Sequence, residues 1–229
     1  MTAPLLSLIM PVLDEASTLK TTLTALQPLM SRGLEVIVVD GGSRDATATL
    51  AAPLCTRMVE APRGRARQMN LGAAAASGQA LLFLHADTRL PQDADRRIAR
   101  ALSDRRCWGH FDVCLEGTNR LLPIIATAMN LRSRLTGIAT GDQALFMTRA
   151  AFEAVGGFPD QPLMEDIEMS RRLKRLSPPA CLRQKVVSSG RRWEQHGAWA
   201  TVRLMWRLRW RYWRGESPDR LAREYRHVR

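Results

Sequence analysis

Three apolar runs that each stop at a carboxylate constrain this chain more than any other feature. Residues 5–13 are almost continuously apolar and end in Asp14-Glu15. Glu35-Val36-Ile37-Val38-Val39 ends at once in Asp40-Gly41-Gly42, and Leu81-Leu82-Phe83-Leu84 ends in His85-Ala86-Asp87-Thr88. Runs this short and this apolar are strands buried on both faces, the habit of parallel sheets covered by helices. Between the first two lies a helical pattern opening at Ser17, with Leu19, Leu23, Leu26 and Met30 on one face and Gly33 as its stop. A short Ala/Thr-rich helix and a third strand at 57–60 follow Asp45. The order strand, acidic loop, helix, strand predicts a βαβαβ half with parallel strands. Parallel strands finish on one edge, where open α/β sheets bind ligands, so the acidic loops gather there.

Each acidic loop has two readings. Ser43, Asp45, Asp14 and Glu15 are also the residue types that cap helix N-termini. Asp40 is different, because it ends the strand itself and two glycines follow it, which permits close backbone approach to a ligand. Asp87, at the mouth of the central strand, is suited to holding a divalent cation against a phosphate; its other reading is a cap for the helix expected near Pro91. Arg63, Arg65 and Arg67 lead into an Ala-rich helix that closes at Ser77-Gly78. Guanidinium groups and free amides at a helix entry make an anion site, or else a solvated basic loop.

The second half is less regular. A helix is expected through Ile98 and Leu102, an antiparallel or edge strand at 107–115, and an apolar helix at 121–131 packed across the sheet or lying on a membrane. Gly141-Asp142-Gln143 precedes a strand at 144–148, and a short helix at 149–155 closes at Gly156-Gly157. Met164-Glu165-Asp166-Ile167-Glu168 opens the next helix, with Ile167, Leu173 and Leu176 as its apolar face. The division expected is a catalytic domain over 1–197, then an Arg/Trp-rich helix and a polar, partly disordered tail over 198–229.

Net charge is +12 in 229 residues, and its placement matters more than its size. From Arg171 onward there are 17 Lys or Arg against 4 Asp or Glu, whereas residues 1–170 carry 17 against 18. Four scattered cysteines show no metal-ligand spacing and read as reduced thiols. No stretch reaches the ~18 apolar residues that span a bilayer, and the N-terminal run lacks the basic region of a signal peptide. A cytoplasmic protein, peripheral at most on the inner membrane face, is the expectation.

Taken in order, Pro11-Val12-Leu13-Asp14-Glu15, Asp40-Gly41-Gly42-Ser43-Arg44-Asp45, His85-Ala86-Asp87, Gly141-Asp142-Gln143, Glu165-Asp166 and Arg191-Arg192-Trp193 resemble the motif series of family-2 glycosyltransferases. The spelling is most similar to a subgroup of small bacterial enzymes assigned to arsenosugar biosynthesis. The resemblance implies the single-domain A-type α/β fold, a mostly parallel sheet flanked by helices, here extended by a C-terminal basic amphipathic helix. It implies an inverting sugar transfer from a nucleotide diphosphate, usually a UDP-sugar, with Mg2+ or Mn2+. Pro11, Glu15, Asp40, Gly41, Gly42 and Arg65 would surround the nucleotide, with Glu15 by the ribose and Asp40 by the base. Asp87 would bind the metal, with His85 and His196 as further candidate ligands; a surface histidine is the other reading of His196. Asp166 would be the general base beside Glu165, and Asp142, Gln143, Arg192 and Trp193 would serve the acceptor or the phosphates. Trp193 would stack on the acceptor or pack in the core. Two departures stand out: His85 replaces the first carboxylate of the usual Asp-x-Asp, and the Gln of the polymerising members' Gln-x-x-Arg-Trp is missing. The second speaks for a non-processive enzyme.

A single displacement needs a carboxylate to take the acceptor proton and cationic charge on the leaving diphosphate, and the named residues supply both. Other classes fit less well. A nucleotidyltransferase would carry a Gly-rich, Lys-bearing loop after the first strand, and a mere nucleotide-sugar binder would not need Asp166. Trp199, Val202, Met205, Trp206, Trp210 and Trp213 recur at helical spacing between arginines. Such a helix suits a membrane interface, or packs its Trp stripe on protein. A nucleic-acid surface is disfavoured by the near-neutral bulk.

Overall fold

The computed structural model describes residues 6–102, 105–195 and 197–227. The first half builds as the apolar runs dictate: β1 (Leu6–Val12), α1 (Ala16–Met30), β2 (Glu35–Asp40), α2 (Thr47–Ala51), β3 (Arg57–Glu60), α3 (Arg65–Ala75) and β4 (Ala80–Phe83). The second half holds β5 (Thr88–Arg89), α4 (Ala94–Ala101), β6 (Trp108–Glu116), α5 (Leu122–Thr136), β7 (Phe146–Thr148), α6 (Arg149–Ala154), α7 (Glu165–Leu173), β8 (Ala180–Ser189), α8 (Arg191–Gln195), α9 (Ala198–Trp213) and α10 (Pro218–His227).

The eight strands form one sheet in the order β3-β2-β1-β4-β7-β6-β8-β5. β1 pairs in parallel with β2 and β4, and β2 with β3. β7 enters antiparallel between β4 and β6, while β6 and β8 run parallel to each other. The period-2 alternation of a strand sends successive residues to two cores. Leu8, Met10, Val36, Val38 and Leu82 meet Leu19, Leu23 and Leu26 of α1 on one face. Ile9, Ile37, Val39, Leu81 and Phe83 meet Ala66, Met69 and Ala73 of α3 on the other. Gly72 lets α3 lie this close, since a Cβ there would stand 2.5 Å from Ile9 Cγ2 and 2.7 Å from Val39 Cγ2.

Two expectations change, and one strand comes unforeseen. The 107–115 strand is antiparallel to β7 as expected but is not an edge: β6 lies between β7 and β8, and Trp108 and Phe111 are fully buried. β8 was not legible in advance. The described residues after Gly215 form α10 rather than a loose tail. Leu221 and Leu208 of α9 close a small core with Met164, flanked by Leu163, Ile167, Tyr212 and Tyr225, and Glu224 pairs with Arg207 and Arg211.

Candidate active site

Strand ends β1, β2 and β4 bring the acidic loops to one edge of the sheet, as parallel pairing requires. Asp40, the last residue of β2, is 7% exposed and accepts hydrogen bonds from the Ser43 amide (3.2 Å) and hydroxyl (2.5 Å). The neighbouring loop is stitched across: the Asp14 amide donates to Ser43 Oγ at 2.9 Å, and Asp14 Oδ1 accepts the Arg44 amide at 2.8 Å. Asp45 is a cap, accepting from the Ala16 amide at the start of α1 (3.1 Å) and from the Thr47 amide (2.9 Å). The Glu15 carboxylate accepts from Thr18 Oγ1 at 3.1 Å. Beneath these loops the buried Gln68 amide donates to the carbonyls of Val12 and Val39, both at 2.8 Å, locking β1 and β2 where Pro11 and Gly41 emerge. Nothing in the sequence marked Gln68, because its partners lie 56 and 29 positions away.

Three further segments complete the edge. Ala86 O, in the turn after β4, accepts from buried Thr22 of α1 at 2.6 Å, which holds His85 and Asp87 at the mouth. His85 Nδ1 donates to Asp142 Oδ1 at 3.2 Å. Its Nε2 lies 2.3 Å from where a Cβ at Gly141 would stand, so only glycine admits the ring. Burial works against the Asp142 charge, yet the His85 hydrogen bond and the charges of His85, Arg192 and Arg65 bring its pKa down to about 2.

Asp166, in the first turn of α7, accepts the Gly141 amide at 2.9 Å and the Ile167 amide at 2.8 Å. Burial and the charge of adjacent Glu165 outweigh those bonds and push its carboxylate up to about 6. Glu165 is itself buried and faces Arg65 at 3.7 Å. The other two arginines of that loop are not drawn in: Arg67 pairs with Asp160 at 2.9 Å, and Arg63 is exposed. Arg65 keeps 47% of its side chain exposed, so the surrounding groups only partly disfavour its charge, and Glu165, Asp142 and Asp166 hold its pKa above the ordinary value.

Gln143 is fully enclosed. Its amide donates to Ser133 Oγ of α5 at 2.9 Å and accepts from the Thr140 amide at 3.2 Å, which places it behind the turn rather than in the groove. Trp193 packs half-buried against the main core, and Arg192 lies 5.4 Å above the Tyr225 ring. His196 falls outside the described residues. Among those that are described, Asp14, Ala144 and Met164 are the non-glycine residues with positive φ (54°, 48° and 67°). All three stand beside site segments: after β1, after the Gly141–Gln143 turn, and immediately before Glu165. Strain of this kind persists where the surroundings impose it, and it clusters at functional sites.

No three His, Cys, Asp or Glu side chains among the described residues converge on a metal site. Asp87, one carboxylate, and His85, whose imidazole is oriented by Asp142, are the residues that would hold a divalent cation, with substrate phosphates completing the set. That is how Mg2+-type cations are usually held in phosphate chemistry, so the donors present fit such an ion.

Residues 7–155 match the model of Glycosyl transferase family 2. A PGL/p-HBAD biosynthesis glycosyltransferase of Mycobacterium bovis is 31% identical over 168 residues, 69% of this chain and 64% of that protein. The chain thus matches just under two thirds of that relative's length. Among solved structures, a Pyrobaculum calidifontis mannosyltransferase in complex with GDP-Man and Mn2+ superposes with a TM-score of 0.64 at 19% identity, over 82% of this chain and 57% of that one. Staphylococcus aureus TarS in complex with UDP-GlcNAc gives 0.65 at 16%, over 80% and 58%. Glucosyl-3-phosphoglycerate synthase of Mycobacterium tuberculosis, in complex with Mn2+, UDP and phosphoglyceric acid, gives 0.58 at 19%, over 80% and 68%. These likenesses carry the A-type α/β fold, and with the family match over most of its length the chain belongs to glycosyltransferase family 2.

Proposed function

We propose that the chain is a non-processive, inverting glycosyltransferase that takes a sugar from a nucleotide diphosphate, UDP in the first instance, to an acceptor hydroxyl. The reading is carried by Asp166, a carboxylate brought to about 6 beside Glu165 and held by the Gly141 amide. A base of that proton affinity is ionised at neutral pH yet holds a proton better than an ordinary aspartate. Asp166 takes the acceptor proton as the hydroxyl attacks the anomeric carbon from the side opposite the leaving diphosphate. Arg65 balances Glu165 and offers charge toward the phosphates.

Pro11, Glu15, Asp40, Gly41 and Gly42 form the nucleotide cradle, whose shape Gln68 sets from below. Asp87 and His85 would hold a divalent cation, Mg2+ or Mn2+, which would supply positive charge for the departing diphosphate. Both the mannosyltransferase and the glucosyl-3-phosphoglycerate synthase were solved with Mn2+ and a nucleotide or nucleotide sugar, and this supports the donor and metal classes. Asp142 and Arg192 face the acceptor side. No helix among the described residues is long and apolar enough to cross a membrane, and the reading keeps the protein cytoplasmic with its basic C-terminal helix at the inner membrane face. The arsenosugar subgroup stays a likeness of motif spelling.

A nucleotide-sugar panel, scored for binding and slow donor hydrolysis with and without Mn2+, tests the proposal. Metal-dependent turnover of a UDP-sugar is expected; failure of every nucleotide sugar to bind would end it.

A further inference from the structure

Seven of the nine large exposed apolar side chains among the described residues lie on two helices, α5 and α9. On α5 they are Ile124, Leu131 and Leu135 (65%, 56% and 77% exposed), which with exposed Ala128 follow a spacing of four, three and four. This is one uncharged stripe facing away from the core. On α9 they are Trp199, Trp206, Trp210 and Trp213, 56–77% exposed. At 100° per residue the four tryptophans fall within about 60° of arc. The opposite side of α9 does the packing through Ala198, Thr201 and Leu208, so the stripe contributes nothing to the fold that solvent exposure would not waste.

The two helices share an anchorage. Ala198 and Val202 of α9 join the core cluster that holds Leu122 and Ile125 of α5. Glu194, just before α9, accepts from the Thr118 amide (2.5 Å) and hydroxyl (2.9 Å) just before α5. Arg203, Arg207 and Arg214 border the tryptophans, and Arg214 stacks over the Trp210 ring at 4.8 Å. From Arg171 onward basic residues outnumber acidic ones 17 to 4. Tryptophan edged by arginine suits the headgroup level of an anionic bilayer. It suits a second copy of the chain poorly, because a self-complementary interface would oppose like charges.

The inner side of α5 leads to the catalytic carboxylates. Ser133 holds Gln143 of the Gly141–Gln143 turn at 2.9 Å. Beside it Arg132 has Nε and Nη2 buried with no hydrogen-bond partner among the described residues, and Asp166 and Asp142 are the charges that bear on it. A helix that exposes an apolar stripe outward and an unspent guanidinium inward matches an acceptor with an apolar anchor and a polar head.

We propose that α5 and α9 together form a docking face for an anionic bilayer, and that the acceptor is a lipid-borne hydroxyl compound reaching Asp166 along α5. The acceptor half of this rests on the sugar-transfer reading; the docking half does not. The test uses the full chain, phosphatidylcholine vesicles with and without phosphatidylglycerol, and bacterial polar lipid extract with a labelled UDP-sugar. The wild type is expected to float with the anionic vesicles only and to move label into the organic phase. Trp206→Ser/Trp210→Ser and, separately, Leu131→Ser/Leu135→Ser are expected to lose both by about tenfold or more. Their melting temperature, donor binding and donor hydrolysis should stay at wild-type values. Flotation that is absent in the wild type, or unchanged in both variants, overturns the docking face, as does a wild-type dimer that the Trp pair breaks without any vesicle binding. Hydrolysis without label in the organic phase overturns the lipid acceptor alone. Absence of hydrolysis in the wild type points instead at the sugar-transfer reading.

Discussion

The Asp166 carboxylate accepts the Gly141 amide at 2.9 Å, and through that bond the start of α7 is tied to the turn that also carries Asp142. Because His85 donates to Asp142 at 3.2 Å, one chain of contacts runs from the mouth of β4 to the proposed base. The proposed metal end and the proposed base end of the site are thereby set against each other by a single three-residue turn.

The raised pKa of Asp166 gives stability a definite pH dependence. Its folded value of about 6 exceeds the ordinary 3.8, so between about pH 4 and pH 6 the folded chain holds more protons than the unfolded one. Its contribution to stability therefore falls as pH rises through that window and stays at its lowest above it, a penalty of up to about 3 kcal/mol. Asp166→Asn should unfold at higher urea than wild type at pH 7.5, with the difference shrinking toward pH 4. Equal midpoints at both pH values would show that Asp166 is not perturbed.

Gly141 tests the packing of His85. A Cβ at 2.3 Å from Nε2 and 2.6 Å from Cε1 forces the ring to turn and breaks its bond to Asp142. Gly141→Ala should destabilise by roughly 1–3 kcal/mol and weaken Mn2+-dependent donor binding by about tenfold, measured by calorimetry. Unchanged donor binding would detach His85 from the metal end of the site.

Gln68 tests the cradle. Gln68→Ala removes the 2.8 Å donors to the Val12 and Val39 carbonyls; Val12 O keeps the Gly41 amide at 3.0 Å, so the loss is about 0.5–1.5 kcal/mol per hydrogen bond. Urea denaturation should show the loss, and donor KM should rise while the pH profile of turnover stays put. A KM at the wild-type value would confine Gln68 to stability.

How much of this was legible in the sequence follows from what each element rests on. β1, β2 and β4 were readable because both faces are buried, so the apolar run and its terminating carboxylate stand side by side in the chain. The same locality exposed Asp40 and Asp87 as candidates, whereas Asp166 entered through the resemblance carried by the Glu165-Asp166 pair. β8 was not readable: its burial alternates irregularly and Arg183 and Lys185 interrupt it, so only pairing with β6 and β5 reveals a strand. α10 hid for a related reason, since its two buried residues, Leu221 and Ala222, sit among charges whose partners on α9 lie 13 and 17 positions away. Gln68 and the His85–Asp142 bond depend on contacts that no local pattern encodes. For the Trp stripe, spacing alone allowed packing on the domain, and exposure of all four residues decides against it.

Asp87→Ala isolates the metal. The carboxylate is half-buried, and Thr88 Oγ1 donates to it at a long 3.5 Å, so its removal should leave the melting temperature within about 2 °C of wild type. Mn2+-dependent UDP-sugar binding should weaken by about a hundredfold, and a chelator should reproduce the loss in the wild type. Metal-stimulated binding that survives the substitution would move the ion away from Asp87.

The most direct test of the central claim is the turnover of a UDP-sugar by Asp166→Asn at saturating Mn2+, with donor affinity measured on the same preparation. A lost general base predicts a kcat lower by about 10²–10⁴-fold and a donor Kd within about threefold of wild type. Turnover at the wild-type rate would contradict Asp166 as the base.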